Sequence, residues 1–295
     1  MIRTVIVGFG NIGACVLEAL LESPDFNLIG IVETNKELIK VKTDVSIQDD
    51  ISKFNDVHVA ILCTPSRIIP ELAESILSKG INTVDAYDIH SKIFDLKDKL
   101  DKISKNNKAA AIIAAGWDPG TDSVVRSLME IMTPQGITYT DFGPGMSMGH
   151  SVAAKAIKGV KDALSITVPL GTGIHRRIVY VELADNADFT KVSQSIKKDD
   201  YFANDETHVI QVPNVNVLMD KGHAVNISRK GVSGKTHNQI INFSMSINNP
   251  ALTAQILVSC ARAVVKQAPG CYTMIEIPLI DMIHGDKESI IRRLV

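Results

Sequence analysis

The stretch TVIVGFGNIG, residues 4–13, decides the fold. Thr4, Val5, Ile6 and Val7 form a mostly apolar, β-branched run of the kind that makes a buried strand, and a segment with helical apolar spacing, NIGACVLEALLES, begins at residue 11. Between them Gly8, Gly10 and Gly13 stand in the pattern G-x-G-x-x-G. Gly8 permits a tight turn, Gly10 lets a pyrophosphate approach the main chain, and Gly13 allows the helix to pack closely on the strand. The helix N-terminus supplies amide donors. A glycine triplet alone is a weak signal, but one that follows a strand and opens a helix reads as a dinucleotide site.

Outward from this turn, strand and helix alternate. FNLIGIVE (26–33), VHVAILCTP (57–65), INTVDAY (81–87) and AAAIIAAG (109–116) read as strands, with the helical IIPELAESILSKG (68–80) among them. Continuous apolar strands joined by helices imply a parallel sheet covered on both faces. After about Asp118 the strands become polar-alternating, as in RRIVYVELAD (176–185) and HAVNISRKG (223–231), which suits a mostly antiparallel sheet. The last ~45 residues, opening at NPALTAQILVSCARAVVKQ (249–267), read as one long amphipathic helix returning to the first domain, with Asn249 as N-cap and Pro250 in the first turn. The fold class is therefore α/β. Residues 1–118 with about 250–295 are expected to form a Rossmann-type doubly wound domain, and 119–249 an α+β substrate and dimerisation domain.

Composition narrows the partners. In 295 residues, 31 Lys and Arg stand against 33 Asp and Glu, a net charge of −2, so no basic field points to nucleic acid and the expected partner is a small molecule. Cys15, Cys63, Cys260 and Cys271 lie in apolar runs without CxxC spacing, which reads as reduced thiols and a cytoplasmic protein. No run approaches a membrane span, no signal peptide is recognisable, and His150, His175 and His223 lack metal-type spacing, so no metal is assigned.

Glu33 ends the second strand about 20 residues beyond the glycines, where an acid accepts hydrogen bonds from ribose hydroxyls and repels a 2′-phosphate. That favours NAD, the alternative being that Glu33 points to solvent while Thr34, Asn35 and Lys36 accept a phosphate. Asp88 and Asp118 both follow parallel strands, at the carboxyl edge where α/β proteins bind ligands. Two carboxylates there can hold one ammonium and favour a cationic imine as hydride leaves, or each can simply cap a helix.

The motifs GFGNIG, VDAYDIH (84–90), AGWDPG (115–120), GPGMSMGHS (143–151) and THNQIINFSMSINNP (236–250), in this order, resemble the meso-diaminopimelate D-dehydrogenases along nearly the whole chain. The resemblance implies a dimer and reversible NADP-dependent oxidative deamination at the D-centre of meso-2,6-diaminopimelate. It implies that Asp88 and Asp118 face the reacting amine, that Trp117 walls the pocket, and that Phe142 stands where the family commonly has tryptophan. It also implies that Met148 and Gly149 approach the substrate with backbone groups, and that Thr167, Arg177, His237 and Asn249 hold the non-reacting end. Arg177 suits that role because a planar guanidinium binds a carboxylate through two parallel hydrogen bonds. On an alternating strand Arg176 and Arg177 point to opposite faces, so only one enters the pocket. The expected cofactor contacts are Gly8, Phe9, Gly10, Asn11, Ile12, Gly13, Glu33, Thr34, Cys63, Thr64, Pro65, Ala86 and Tyr87.

Two departures qualify the resemblance. The segment VPLGTGI (168–174) is short, as in the compact subgroup that accepts other D-amino acids, and ETN (33–35) replaces the usual basic pair after the second strand, so NAD and NADP both stay open. Among other two-domain dehydrogenases, a sugar oxidiser would carry Glu-Lys-Pro and dihydrodipicolinate reductase a paired-histidine motif, and neither occurs. A dehydrogenase for 2,4-diaminopentanoate or another D-amino acid, and a non-catalytic nicotinamide sensor, remain as alternatives.

Overall fold

The computed structural model describes residues 1–35, 45–218 and 222–295; Lys36, one of the alternative phosphate contacts, lies outside them. The chain divides into two compact units, residues 1–124 with 250–295, and residues 125–249.

The first unit opens with β1 (Ile2–Val7), α1 (Asn11–Leu21), β2 (Phe26–Val32), the two-residue β3 (Ile47–Gln48) and β4 (Val59–Leu62). It continues through α2 (Ile69–Leu77), β5 (Asn82–Asp85), α3 (Ile93–Asn106), β6 (Ala110–Ile112) and the start of α4 (Asp122–Met132). The strands form because their residues are buried on both faces: Ile6, Ile31, Ile61 and Leu62 are at most 1% exposed. Each such side chain contributes roughly 1.5–3 kcal/mol on leaving water. Pro70 is tolerated because it lies in the first turn of α2.

The second unit runs from the remainder of α4 through β7 (Gln135–Phe142), β8 (Gly145–Met146), α5 (Met148–Lys155), β9 (Val160–Gly171) and β10 (Ile174–Leu183). α6 (Phe189–Lys198), β11 (Glu206–Gln211), β12 (Gly222–Ser233) and β13 (Thr236–Asn248) complete it. One sheet has the order β11-β10-β9-β8 and the other β13-β12-β7; all pairs are antiparallel except β10 with β11. The short segment at 168–174 is no loop: β9 and β10 meet in a two-residue hairpin at Thr172 and Gly173, both at positive φ as a type I′ turn requires. Ala153 and Ala154 of α5, Val179 and Val181 of β10, Val192 and Ile196 of α6 and Phe202 form a core under the first sheet.

The chain then re-enters the first unit with α7 (Asn249–Val264), β14 (Gly270–Tyr272), α8 (Leu279–Met282) and α9 (Lys287–Leu294). β14 pairs with β6 and completes a parallel sheet of order β14-β6-β5-β4-β1-β2-β3. The single long amphipathic helix expected here is corrected in two respects. Pro269 and Gly270 follow the helix, and the chain turns into a strand there. And α7 is buried rather than two-faced, with Ala254, Leu257, Val258, Cys260, Ala261, Ala263 and Val264 all at 0% exposure. Arg262 anchors it by a fork on Asp25, Nε to Oδ2 at 2.5 Å and Nη2 to Oδ1 at 3.0 Å, while Nη1 donates to the Met282 carbonyl at 3.0 Å. Among the described residues no helix is long and apolar enough to cross a membrane.

Candidate active site

The glycine turn has the sterics its sequence implies. Gly8 sits at φ +91°, and a Cβ there would meet the Thr64 Cγ2 at 2.7 Å and the Cys63 carbonyl at 2.8 Å. A Cβ on Gly13 would meet the Gly8 carbonyl at 2.3 Å, so α1 can pack against the turn only without a side chain at this point. At Gly10 the situation is reversed, for nothing lies within 4 Å of a Cβ. This glycine guards open space in front of the first turn of α1, whose N–H groups have no carbonyl within the helix to bind. Glu33 Oε2 accepts from the Phe9 N–H and Oε1 from the Asn35 N–H, each at 2.8 Å. The acid is thus fixed to the turn, and each oxygen keeps a lone pair for a ribose hydroxyl. An open approach to helix amides beside a fixed acid fits a dinucleotide.

The other expected cofactor residues divide by exposure. Gly10, Asn11 and Pro65 are exposed, and Ile12, Thr34, Cys63, Thr64 and Ala86 are at least partly accessible. Phe9 and Tyr87 are each only 2% exposed, so these two offer main chain rather than rings. Thr64 turns its Oγ1 inward, and the Cys63 thiol is pushed well above its ordinary range by burial.

Asp88 and Asp118 lie on loops that leave the carboxyl ends of β5 and β6, and a residue sequence reasoning passed over joins the loops. Asp85, the last residue of β5, is 0% exposed; its Oδ1 accepts from the Tyr87 N–H at 2.9 Å and from the Ala114 N–H at 3.1 Å. Its carbonyl takes the Ala115 N–H at 2.8 Å. The loop to Asp118 needs such fixing, since Ala114 is held at φ +53° and Gly116 at +105°. Burial pushes the Asp85 carboxyl up to about 6, against the pull of the two amides. Among the described residues its Oδ2 has no hydrogen-bond partner.

Two further side chains, also unsuspected, hold the aspartates themselves. Ser66 Oγ donates to Asp88 Oδ1 at 2.6 Å and accepts from the Asp88 N–H at 3.2 Å. His90 Nε2 stands 3.3 Å from Asp118 Oδ2, with the imidazole 55% exposed and the Asp118 side chain only 16%. The sheltered carboxylate thus has a titratable neighbour that reaches solvent. Trp117 is 8% exposed beside it in sequence.

In the second unit the structure brings together Phe142, the Gly143–Met146 turn, Thr167 and Arg177. Arg177 and Thr167 are cross-strand partners on β10 and β9, and Arg177 Nη1 donates to Thr167 Oγ1. Gly145 pairs with Thr167, and a Cβ on Gly143 would meet the Thr167 carbonyl at 2.4 Å. The Phe142 N–H donates to His175 Nε2 at 2.7 Å, and the two rings lie 5.3 Å apart. Met148 and Gly149 open α5, stapled to β9 by Ser147 N–H to the Ser165 carbonyl at 2.9 Å. Arg176 does face away from Arg177, paired with Glu206 at 3.0 Å on an exposed surface.

His237 is not brought to this group. It stands exposed at the start of β13, eight residues before Met245, while Val225 links Met245 to Phe142 across the sheet. Eight residues of strand span about 26 Å. The histidine that meets the turn is His223: a Cβ on Gly145 would lie 2.7 Å from its Cα. The expectation fell on His237; strand register, which motif order does not show, places His223 beside the turn instead. Asn249 is 6% exposed at the start of α7.

Comparison with known proteins agrees with both units. Residues 2–114 match a family model described as oxidoreductase family, NAD-binding Rossmann fold, and residues 116–174 match the diaminopimelic acid dehydrogenase C-terminal domain. The meso-diaminopimelate D-dehydrogenase of Bacteroides fragilis is 57% identical over 296 residues, covering 100% of this chain and 99% of its own. Among solved structures, the C. glutamicum DAP dehydrogenase in complex with DAP has a TM-score of 0.89 at 27% identity, covering 100% and 99% of the two chains. An engineered D-amino acid dehydrogenase bound to NADP+ has a TM-score of 0.90 at 26% identity, with the same coverage. With 57% identity over its full length to the Bacteroides fragilis relative, the chain belongs to the meso-diaminopimelate D-dehydrogenase family.

Proposed function

We propose that the protein catalyses the reversible NAD(P)-dependent oxidative deamination of the D-centre of meso-2,6-diaminopimelate. The observation that carries this reading is the pair Asp88 and Asp118 on adjacent strand ends, with Asp85 holding both loops. When bound, the nicotinamide supplies the hydride acceptor; the remaining work falls to this chain. Asp88 and Asp118 hold the ammonium, one of them takes the proton that the amine must lose before hydride leaves, and both favour the cationic imine that results. Water then converts the imine to the 2-amino-6-oxo acid and ammonia. His90, 3.3 Å from Asp118 and open to solvent, gives that proton a way out. Arg177 and Thr167 meet the distal carboxylate, which would be costly to enclose without a cation.

Glu33 favours NAD because a 2′-phosphate would face a carboxylate fixed in place by two amides. The same reading includes a cytoplasmic location, inferred from the thiols, and a homodimer joined through the second unit. The test is initial rate, read from nicotinamide absorbance with each cofactor, on meso-diaminopimelate, D-lysine and 2,4-diaminopentanoate. Meso-diaminopimelate should lead in kcat/KM by at least about tenfold. A wide lead for a substrate lacking the distal carboxylate would remove Arg177 as its clamp.

A further inference from the structure

Arg177 is engaged by side chains of its own unit. Its Nε donates to Asp205 Oδ2 at 2.6 Å and its Nη1 to Thr167 Oγ1. Only the Nη2 corner takes no partner among the described residues. The ion pair is built into the fold rather than a chance of the surface. β10 and β11 run parallel with Arg177 opposite Thr207, and Asp205 lies two residues earlier in a turn closed by its own N–H on the Phe202 carbonyl at 3.1 Å. Thr207 Oγ1 donates to the Asp205 carbonyl at 3.2 Å, and Phe202 anchors the turn at 1% exposure. The Arg177 and Asp205 side chains are 11% and 23% exposed, against 39% and 48% for Arg176 and Glu206 on the opposite face. The second pair is a solvated rim contact of little consequence; the first is sheltered enough for its charges to act on a ligand.

We propose that Asp205 determines substrate specificity, as an internal counter-ion that competes with the substrate's distal carboxylate for Arg177. The proposal rests on the reading that Arg177 receives that carboxylate. A sheltered guanidinium with no counter-ion would demand an anionic partner from every substrate, because an unpaired charge out of water is costly. With Asp205 in place, the arginine is neutralised when the substrate's far end carries no carboxylate, so such substrates are tolerated. When a distal carboxylate arrives, two anions share one cation, and their repulsion subtracts from the gain. Asp205 thus narrows the gap between diacid and monoacid substrates from both sides.

D-Lysine is the matched probe, since it is diaminopimelate without the second carboxylate. The experiment measures kcat/KM of the full-length enzyme for both compounds at saturating cofactor, before and after Asp205→Asn, which removes the charge and keeps a hydrogen-bond acceptor. The ratio of meso-diaminopimelate to D-lysine should rise at least about tenfold, through a lower KM for the diacid and a higher one for D-lysine, with kcat for the diacid within about threefold. A ratio that stays within about twofold of the parent, or falls, overturns the proposal. Asp205→Glu should return the ratio toward the parent value. If the asparagine variant does not fold, Asp205→Ser carries the same expectation and the same refutation. Should the parent fail to turn over meso-diaminopimelate at all, the functional reading falls and this proposal with it; turnover in the parent with an unmoved ratio removes this proposal alone.

Discussion

Asp85 has both oxygens out of water yet only one of them hydrogen-bonded among the described residues, and the consequence is a pH-dependent cost of folding. Its folded carboxyl titrates at about 6, whereas an unfolded aspartate titrates near 4. Below pH ~4 both states hold the proton and nothing is lost. Between ~4 and ~6 the unfolded chain ionises first, so stability falls with rising pH by about 3 kcal/mol and then stays level. Asp85→Asn cannot ionise, so denaturant titrations of parent and variant should differ by a slope confined to that window; parallel curves from pH 4 to 7 would refute the assignment. Asp118→Asn should behave oppositely, melting like the parent while turnover drops about 100-fold or more, the scale of one lost transition-state contact. Asp88 and Asp118 were legible in the sequence because they follow strands in recognisable motifs. Asp85, Ser66 and His90 were not. Their contacts cross 22 to 29 residues of chain, and no local pattern marks which polar side chain a neighbouring loop will meet.

The β1-turn-α1 element was legible for the converse reason: its sterics are local, with Gly8 and Gly13 five residues apart and in contact. Gly13→Ala forces a Cβ to 2.3 Å from the Gly8 carbonyl, which cannot yield as a flexible side chain would, so the turn must shift. Cofactor affinity measured by calorimetry should then weaken at least about tenfold; an unchanged affinity would mean that the turn does not carry the dinucleotide. The next element along gives a second test. Glu33→Ser with Thr34→Arg and Asn35→Arg replaces a fixed acid by phosphate-binding forks, and should move kcat/KM toward NADP by about two powers of ten. A parent that already prefers NADP would show that Glu33 does not govern the choice. Strands β3 and β14 escaped the sequence reading because two and three residues carry no periodicity. Their place at opposite edges of the sheet comes from neighbours offering unpaired main chain, which is a tertiary fact.

For the molecule as a whole, the second unit's three-stranded sheet is where association between chains would act. The apolar residues that alternate along RRIVYVELA in the four-stranded sheet and QIINFSMSI in this one are mostly used within the protomer. Val179 and Val181 are fully buried, and Ile241, Phe243, Met245 and Ile247 are half-buried. What remains is a row in which Ile137 and Ile240, 59% and 62% exposed, flank Lys230 across the strands, with Tyr139 beside it. More telling is β13 itself, an edge strand of 13 residues with no lysine, arginine, acid or proline from Thr236 to Asn248. Proteins seldom leave so long an edge unprotected, because its free N–H and C=O groups recruit another strand. A second copy of β13 meeting it about a twofold axis satisfies both edges at once. At micromolar concentration, light scattering should therefore give twice the 32.0 kDa chain mass. Ile240→Lys with Asn242→Lys places like charges along the edge and should return the mass to a single chain while the protein stays folded. A parent that scatters as one chain ends the idea, and a variant that stays dimeric moves the interface off β13.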